Sequence, residues 1–334
     1  MRVHLVVPAG FDDPARPSGG NTFDRKVLRG LAEAGWTVHV HAVASTAELA
    51  AALAQIPDGA VVLVDGLVAS PAPAELVPEA GRLRLVVLMH MPLGTEAERA
   101  VLSASAAVVT TSAWTRRTLL ELHGLGADRI HVAVPGTDAA ELAPGTATAG
   151  ALLSVAAVIP GKGHDVLVEA LSMLVGLRWH CLCVGSVRRD PAFAKELHRR
   201  ILDGRMHGRV RLAGAQAGDE LARSYEAADV LVLPSRGETY GMVVTEALAR
   251  GLPVVAADVG GVPEALGHGT DGARPGLLVS PDDPGALRDA LRAWLTDAGL
   301  RRRLRRAALE RRATLGSWAA TTSVLAGVLT EAAR

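Results

Sequence analysis

The stretch that decides the fold comprises residues 230–251 and reads VLVLPSRGETYGMVVTEALARG. Residues 230–233 are all branched and apolar, and Pro234 follows them, a pattern that predicts a short buried parallel strand. The apolar and alanine-rich residues after Gly241 predict a helix that ends at Gly251. The stretch therefore predicts a strand, a tight loop and a helix in succession.

Two carboxylates lie eight positions apart in this stretch, Glu238 in the loop and Glu246 in the second turn of the helix. Glu246 is expected ~7 Å along the axis from the helix start, at about 1.5 Å of rise per residue. The backbone N–H groups at the helix start are free and carry the positive end of the helix dipole. The residues that carry these N–H groups are Thr239, Tyr240, Gly241, Met242 and Val243. The pattern predicts an anion site between two acids, which suits a phosphate-bearing ligand with hydroxyls at both ends.

The Glu-x7-Glu spacing, with Tyr240-Gly241 after the first Glu, resembles the signature of the retaining glycosyltransferases of family 4, which have the GT-B fold. In that family the first Glu lies beside the donor sugar, the amides hold the diphosphate and the second Glu binds the ribose hydroxyls. The resemblance implies these roles for Glu238, Glu246 and the amides between them. The alternative is a loop acid and a helix-surface acid, which the order of strand, glycine, aromatic residue and helix disfavours.

Length and composition limit the classes of function. A chain of 334 residues indicates two domains, and 49% hydrophobic residues can fill two cores. Lys plus Arg equal Asp plus Glu at 35 each, so no overall basic field attracts nucleic acid. Aromatic residues are only 3% of the chain, which further disfavours base stacking. We therefore expect no nucleic-acid partner.

The N-terminus and the cysteines indicate the compartment. The short apolar run that stops at Pro8 predicts a first strand rather than a secretory signal. No stretch reaches the ~18 apolar residues of a membrane span, so we expect no integral membrane segment. Cys181 and Cys183 are expected on opposite faces of one strand, reduced and buried. Together these features predict a cytoplasmic protein.

Apolar runs alternate with helical patterns through the first half of the chain. Strands are predicted at residues 3–8, 38–43, 60–65, 85–89, 107–110 and 130–134. A helix over about 22–34 is expected to be capped by Asn21 or Thr22. The step from Pro135 to Asp138 resembles the family's exit from its N-terminal domain, and the Ala-, Pro- and Gly-rich segment 139–150 predicts a flexible linker.

The second half repeats the alternation and predicts a second parallel, doubly wound unit. Its predicted strands are at residues 152–158, 179–185, 210–213, 230–233 and 254–257. We expect an acceptor-side domain over 1–146, a donor-side domain over 147–316, and a helix over 317–334 that the resemblance places back on the first domain. The predicted fold class is α/β, of the GT-B type, with two doubly wound Rossmann-like domains facing across a cleft.

Lys162 lies in the sequence IPGKGH between a strand and a helix, where it can reach an anion in the same crevice as Glu238. The segment resembles the family's Lys-Gly element, whose lysine pairs with the donor diphosphate. A plain surface lysine is the alternative. The family usually has an Arg five residues before this Lys, and here Ala157 occupies that position. Possible substitutes for the missing cation are Arg188, Arg189, Arg211 and Arg236.

Two features of the first domain complete the predicted site. His90 follows a strand, and ligands of open α/β sheets bind beyond the carboxyl ends of strands. It resembles the family's strand-end histidine, which approaches the donor sugar. Gly19 and Gly20 allow the backbone to approach a ligand closely, and they resemble the family's glycine loop near the donor phosphate and acceptor. A structural histidine and a plain turn before a helix are the alternatives.

Other patterns do not support competing functions. The GxGxxG of residues 267–272 follows a helix and precedes a strand, the reverse of a dinucleotide site. His39 and His41 share a strand face without a third ligand nearby in the sequence. The arginines of residues 301–312 alternate with an apolar stripe, which predicts a solvated helix face. There is no Asp-x-Asp pair, so no metal and no cofactor are expected.

The sequence therefore predicts a retaining, metal-independent glycosyltransferase that acts on a nucleotide-diphosphate sugar and an unidentified acceptor. The expected catalytic residues are Glu238, His90 and Lys162. Two alternatives stay open on the sequence alone. One is a sugar-nucleotide epimerase or phosphorylase on the same fold, and the other is a non-catalytic sugar-nucleotide-binding subunit.

Overall fold

The computed structural model describes residues 1–13 and 18–334. The chain forms two compact units. Unit 1 comprises Met1–Gly136 and Gly316–Arg334, and unit 2 comprises Thr137–Leu315. Each unit contains a six-stranded parallel sheet with helices, so the predicted α/β class with two doubly wound units is confirmed.

Unit 1 has the strand order β2-β1-β3-β4-β5-β6. Its strands are β1 (Arg2–Pro8), β2 (Thr37–Val43), β3 (Val61–Asp65), β4 (Arg84–Met89), β5 (Ala107–Thr110) and β6 (Ile130–Val132). Its first helices are α1 (Gly19–Glu33), α2 (Thr46–Ala54), α3 (Gly66–Ala69), α4 (Pro73–Leu76), α5 (Glu96–Ala104) and α6 (Ala113–His123). The chain runs from β1 to β2 on one side and then to β3 on the other. The winding therefore reverses between β1 and β3.

Hydroxyl side chains start several of these helices. Ser45, Thr95 and Ser112 each accept a hydrogen bond from the backbone N–H three residues later, which satisfies one of the free donors of the first turn. Helix α1 is capped in the same way by Ser18, which accepts from the Asn21 N–H at 3.1 Å. The predicted cap at Asn21 or Thr22 is therefore wrong, and the glycines at 19 and 20 form the first turn of the helix.

Unit 2 has the strand order β12-β11-β10-β7-β8-β9. Its strands are β7 (Ala151–Val155), β8 (His180–Val184), β9 (Val210–Gly214), β10 (Val230–Leu233), β11 (Val254–Ala257) and β12 (Gly276–Val279). Its helices are α7 (His164–Ser172), α8 (Pro191–Asp203), α9 (Gly218–Glu226), α10 (Met242–Ala249), α11 (Val262–Leu266), α12 (Pro284–Thr296) and α13 (Ala298–Arg312). Strand β10 pairs with β7, as Val230 with Leu152 and Leu231 with Leu153. Here the winding reverses between β7 and β10.

The last helix, α14 (Trp318–Ala332), packs against α1 and against β3, β4 and β5 of unit 1. Leu325 and Leu329 are buried there. The Thr321 hydroxyl donates to the Val134 carbonyl at 2.7 Å. Gly30 of α1 lies so close that a Cβ at this position would overlap the Thr322 side chain. The absence of a side chain at residue 30 thus lets the two helices pack closely.

The segment predicted as a flexible linker is bonded into unit 2. The Ala143 N–H donates to the Arg250 carbonyl at 3.0 Å. The backbone and hydroxyl of Thr146 each donate to Asp229 at 2.6 Å. Buried Asp229 also accepts from the Ala151 N–H at 2.8 Å, which ties the segment to the start of β7. The division between the units therefore falls after Gly136, earlier than the predicted boundary at residue 146.

Two local predictions are corrected by the structure. Cys181 and Cys183 are both buried, but their Sγ atoms lie 4.0 Å apart on the same face of β8, because residues two apart on a strand point the same way. The arginines of α13 are not simply solvated. Arg301, Arg311 and Arg312 donate to backbone carbonyls of unit 2, so part of this basic face ties the helix to its surroundings.

Among the helices of the described ranges, none combines the length and the apolar character needed to cross a bilayer.

Candidate functional site

The loops of unit 2 that carry the predicted residues leave the sheet where its winding reverses. Strands β7 and β10 are neighbours there, and ligands of doubly wound sheets bind beyond the carboxyl ends of strands at such a point. The loop after β7 contains Lys162, and the loop after β10 contains Glu238. The topology thus brings together two residues that are 76 positions apart in the chain.

An ion pair joins these two residues. Lys162 Nζ lies 2.7 Å from Glu238 Oε1, and the Ser235 hydroxyl donates to the same oxygen at 2.8 Å. The two side chains are 29% and 13% exposed, so the pair is partly desolvated yet open to a ligand. Such a pair fixes a carboxylate and an ammonium group at one place, where both can contact a polar, anionic ligand.

Glycines allow the loops around this pair to pack closely. Gly163 has φ +66°, and a Cβ there would overlap the Pro234 carbonyl oxygen. Gly260 has φ +53°, and a Cβ there would overlap the carbonyl oxygen of Glu238. The Gly261 N–H donates to that same oxygen at 2.9 Å. The Gly260-Gly261 step therefore supports the backbone that carries Glu238.

Helix α10 begins directly after Gly241, whose φ of +92° suits glycine. The Val244 N–H donates to the Gly241 carbonyl at 2.9 Å. The N–H groups of Met242 and Val243 have no acceptor among the residues that the structure describes. These two donors can bind an anion at the positive end of the helix dipole.

Tyr240, just before α10, is a core residue. Its ring is buried among the apolar side chains of unit 2. Burial raises the pKa of the Tyr240 hydroxyl to about 12, and the charge of Glu264 adds to this while Arg311 opposes it. The side chain therefore anchors the loop.

Glu246 is held by two residues that sequence reasoning missed. Its Oε2 accepts a hydrogen bond from the Tyr225 hydroxyl at 2.8 Å. The Arg250 guanidinium lies 4.5 Å from the centre of the Tyr225 ring and donates to the Glu246 carbonyl at 2.8 Å. Burial, followed by the charge of Glu246, raises the pKa of Tyr225 well above its usual value. The position of Arg250 one helical turn after Glu246 was a usable signal, whereas Tyr225 lies on α9 and comes close only in the folded unit.

Of the proposed substitutes for the missing arginine, one is engaged in ion pairs, two lie in the loop after β8 and one lies at the far end of the sheet. Arg236 makes a two-pronged contact with Asp165 at 2.8 and 3.0 Å, and its Nε lies 2.5 Å from Asp282. Arg188 and Arg189 are exposed in the loop after β8, and Arg211 is exposed near the start of β9, at the far end of the sheet from Glu238. Among the described residues of unit 2, Lys162 is the cation that contacts Glu238.

A cavity of about 640 Å³ also lies at that far end of unit 2. Its lining includes the first residues of β7, β8 and β9 and the histidines His180, His198 and His207. It contains neither Lys162 nor Glu238. The cavity is therefore separate from the site built on the carboxyl ends of the strands, and we attach no role to it.

In unit 1, His90 belongs to a compact polar cluster with Asp24 of α1 and Asp65 at the end of β3. His90 Nε2 lies 2.8 Å from Asp24 Oδ1 and 3.6 Å from Asp65 Oδ2. Asp65 Oδ1 accepts from the Leu67 N–H at 2.5 Å. The nearest polar atoms of the three side chains lie within 4.8 Å of one another, a spacing that could also admit a metal ion. The shortest contact has the length of a hydrogen bond.

Burial and charge shift the pKa values of this cluster. Burial, together with the charge and hydrogen bond of Asp24, raises the pKa of Asp65 to about 7, although the charge of His90 acts against this. Burial lowers the pKa of His90, but its contacts with Asp24 and then Asp65 outweigh that effect and raise it. Sequence reasoning missed both aspartates, because nothing in their local patterns distinguishes them from helix and strand-end acids.

The glycines at the start of α1 lie beside this cluster. A Cβ at Gly20 would lie 3.4 Å from the nearest atom of the His90 ring, and the edge of Phe23 packs on that ring with the centroids 5.4 Å apart. Gly19 and Gly20 therefore leave room for the His90 ring, in addition to any contact of their amides with a ligand. The rest of the loop, residues 14–17, lies outside the described residues.

The strand histidines form a separate group at the edge of unit 1. His4 Nδ1 lies 3.0 Å from His41 Nε2, and the His4 ring stacks on His39 and His41 with centroids 5.0 and 5.2 Å apart. Burial and the neighbouring histidines lower the pKa values of His4 and His41. The group is thus a stack of histidine rings on neighbouring strands, and His4 was missed because it lies on another strand.

Residues 149–297 match the family described as glycosyl transferases group 1. The chain is 32% identical over 251 residues to a D-inositol 3-phosphate glycosyltransferase of Jonesia denitrificans, an alignment that covers 69% of this chain and 58% of that protein. Alignments with further proteins of this name cover between 50% and 60% of their length. The chain therefore spans little more than half of the curated relatives it matches.

Solved structures resemble the chain over nearly its whole length. A glycosyltransferase from Rickettsia africae has a TM-score of 0.80 at 19% identity and covers 99% of this chain and 98% of its own. The fold is GT-B. The structure of Alr3699/HepE of Anabaena in complex with UDP and glucose has a TM-score of 0.75 at 16% identity and covers 99% of this chain and 100% of that chain. The GT-B class predicted from the sequence is thus confirmed.

Proposed function

We propose that this chain is a glycosyltransferase that transfers a sugar from a nucleotide-diphosphate sugar to an acceptor, with retention at the anomeric carbon and without a metal ion. The observation that carries the proposal is the Lys162–Glu238 pair beside the free amides of α10, at the point where the winding of unit 2 reverses. The similarity of residues 149–297 to group 1 glycosyl transferases supports it.

The donor would be bound through its charges and hydroxyls. The N–H groups of Met242 and Val243 and the Lys162 ammonium group would contact the diphosphate, while Glu246 would accept hydrogen bonds from the ribose. The contact between Glu246 and the Tyr225 hydroxyl fixes the carboxylate before the ligand arrives. Binding then costs little reorganisation of the protein.

The reaction would break the bond between the anomeric carbon and the diphosphate oxygen, and the bonding electrons would leave with the diphosphate. The acceptor oxygen would form the new bond on the same face of the sugar and give its proton to a diphosphate oxygen. Lys162 and the α10 amides would face the diphosphate, on which negative charge develops, and fixed donors of this kind are usually the largest electrostatic contribution to such a step. Glu238 would orient the sugar, and we assign to His90, by the family resemblance, a contact with the same sugar.

The proposal is tested first by ligand binding. Thermal unfolding of the protein is measured with uridine, guanosine and adenosine diphosphates and with their common sugar conjugates. A ligand present at 100 times its Kd stabilises the native state by about 2.7 kcal/mol, so a nucleotide that binds is readily detected. If none of these ligands shifts the unfolding temperature, the donor assignment is wrong.

Transfer itself is then assayed with the nucleotide that binds. The acceptor panel includes D-inositol 3-phosphate, because that compound appears in the name of the curated relatives. The proposal expects a product with the anomeric configuration of the donor, seen by NMR, and unchanged rates in excess chelator. An inverted product, or a rate that chelation abolishes, contradicts the proposed mechanism. Epimerised or phosphorolysed sugar without acceptor indicates a different reaction.

A further inference from the structure

We propose that Asp24 and Asp65 are positioning residues for His90. The two aspartates share one proton, and their contact with Nε2 keeps the imidazole ring in its cationic form. The Nδ1–H group of the ring then donates a hydrogen bond to a substrate oxygen. Only the identity of that oxygen, a hydroxyl of the transferred sugar, rests on the proposed function. The protonation of the cluster is a property of the ligand-free chain and is tested separately.

The location of the cluster indicates a functional role. Asp65 ends β3, and Asp24 lies in the helix that follows β1, so both flank the point where the winding of unit 1 reverses. His90 follows β4, the next strand in the sheet. Unit 1 thus places a polar cluster where doubly wound sheets bind ligands.

Charge balance limits the protonation states. Asp24 and Asp65 are only 1% and 2% exposed, and two ionised carboxylates so close together and so poorly solvated repel each other strongly. One carboxylate, one carboxylic acid and one imidazolium ion together are neutral, which is the least costly state for a buried group. Asp24 makes the shorter contact with Nε2 and is therefore the carboxylate that faces the imidazolium ion. Asp65, whose pKa is raised to about 7, carries the shared proton below that pH.

The groups around His90 support this assignment. The charges that act on it are those of Asp24 and Asp65. On α1, Arg25 is bonded to the Phe11 carbonyl and to Thr22, and Lys26 lies over the Trp318 ring. The other neighbours are Phe23 and Gly20, which carry no charge. Within the described part of unit 1, the two aspartates therefore set the charge of the imidazole.

The second ring nitrogen is the functional end of this arrangement. Nε2 is taken by Asp24, and Nδ1 has no partner among the described residues. The His90 side chain is 11% exposed, so a ligand can reach one edge of the ring. A cationic ring donates from Nδ1, whereas a neutral ring bonded to Asp24 through Nε2–H could only accept there.

The aspartates allow a matched pair of isosteric variants. Asp65→Asn keeps a donor toward Asp24 and an acceptor for the Leu67 N–H, so it imitates the protonated acid. Asp24→Asn removes the anion on Nε2. Asp58→Asn, on an exposed loop of unit 1, is the control. Unfolding temperatures and circular dichroism identify any variant that fails to fold.

The test is NMR of the histidine ring nitrogens in the free protein from pH 5 to 9, with the His90 signals identified by their loss in His90→Gln. We expect a cationic ring at neutral pH in the parent, in Asp58→Asn and in Asp65→Asn. In Asp24→Asn the His90 pKa should fall by at least one unit. An ordinary pKa in the parent overturns the proposal, as does a fall in Asp65→Asn as large as that in Asp24→Asn.

A second readout links the cluster to activity. Because the cation is the donor, kcat/KM should decline at high pH as His90 loses its proton, and this decline should move to lower pH in Asp24→Asn but not in Asp65→Asn. Asp65→Ala, which cannot donate a hydrogen bond to Asp24, should lose at least 10-fold more activity than Asp65→Asn.

Zinc binding is a separate test of the cluster. Stoichiometric zinc binding by the chelator-treated parent that is lost in Asp24→Asn would show a metal site and overturn the shared proton. Failure of sugar transfer alone leaves the NMR result intact and counts against the proposed function.

Discussion

The two points at which the sheets reverse their winding occupy equivalent places in the two units but differ in chemistry. In unit 2, a partly exposed lysine–glutamate pair lies beside helix amides that have no acceptor among the described residues, so the region can receive a negatively charged group. In unit 1, two buried aspartates lie beside one histidine, and we propose that they balance the charge of its ring. In our proposal, the same topology therefore supports a site for a negatively charged group in unit 2 and a hydrogen-bond donor with internally balanced charge in unit 1.

This difference explains why unit 2 was easier to interpret from the sequence. An anion site on a helix start needs a glycine and a helix, which form a local pattern, and a lysine in another strand-end loop of the same sheet. A buried acid–histidine cluster needs three elements to converge. His90 was recognised from its position at a strand end, but the two aspartates have no distinguishing pattern in their own segments.

The largest expected effect tests the charge-binding role of unit 2. Lys162→Ala removes the cation that faces the departing diphosphate, and loss of one such donor typically lowers kcat by about 100- to 1000-fold. The measurement is the steady-state rate of sugar transfer. Lys195→Ala, on the exposed face of α8, is the control. Full activity in Lys162→Ala would remove the lysine from the reaction.

A smaller effect separates nucleotide binding from chemistry. Glu246→Ala removes charged hydrogen bonds worth about 1.5–3 kcal/mol, so the Kd for the nucleotide should rise about 10- to 100-fold, with a smaller change in kcat. Isothermal titration calorimetry measures the affinity. Glu226→Ala, at the exposed end of α9, should bind like the parent. Unchanged affinity in Glu246→Ala would contradict the ribose contact.

The backbone support of Glu238 is tested by Gly260→Ala. The new Cβ would overlap the Glu238 carbonyl in a backbone conformation that disfavours side chains, so we expect a loss of about 1–3 kcal/mol in the free energy of unfolding. Chemical denaturation gives this value. Gly208→Ala, where a Cβ would meet open space, is the matched control. Equal stability of the two variants would show that the loop relaxes freely.

The smallest and most specific effect concerns pH and unit 1. The pKa of Asp65 is raised from 3.8 to about 7 in the folded state, so the native state binds its proton more tightly than the unfolded chain. Native stability from this group is therefore present at low pH and is lost as pH rises from about 4 to 7. Asp65→Asn cannot lose a proton, so it avoids this loss. The unfolding temperature of the variant minus that of the parent should therefore increase between pH 4.5 and 8. A constant difference, or one that falls, would show that Asp65 does not hold the proton.

Much of the architecture could be predicted from periodicity. Strands at residues 107–110, 230–233 and 254–257 have the predicted bounds, because continuous branched apolar runs have few alternatives to a buried strand. The ends of helices were less predictable. Ser18 rather than Asn21 caps α1, because the glycines that suggested a loop are tolerated in a first turn whose amides are unpaired in any case.

The proximity of Lys162 and Glu238 was also predictable, since both follow strands of one parallel sheet. The contacts that hold Glu246 were not. Tyr225 and Glu246 belong to different helices, and their hydrogen bond depends on how these helices pack on the sheet. The engagement of Arg236 with Asp165 and Asp282 was equally hidden, which is why it remained a candidate for the missing cation.

The sequence by itself determined the α/β class, the alternation of strands and helices, and the identity of the acids, lysine and glycines around α10. These depend on short-range periodicity and backbone preference, which act within a few residues. Only the tertiary structure decided that Asp24, Asp65 and His90 form one cluster, that the segment after Gly136 belongs to unit 2, and that Tyr225 contacts Glu246. Long-range packing sets these distances and removes the water that would otherwise screen the charges, so their chemistry arises only in the folded chain.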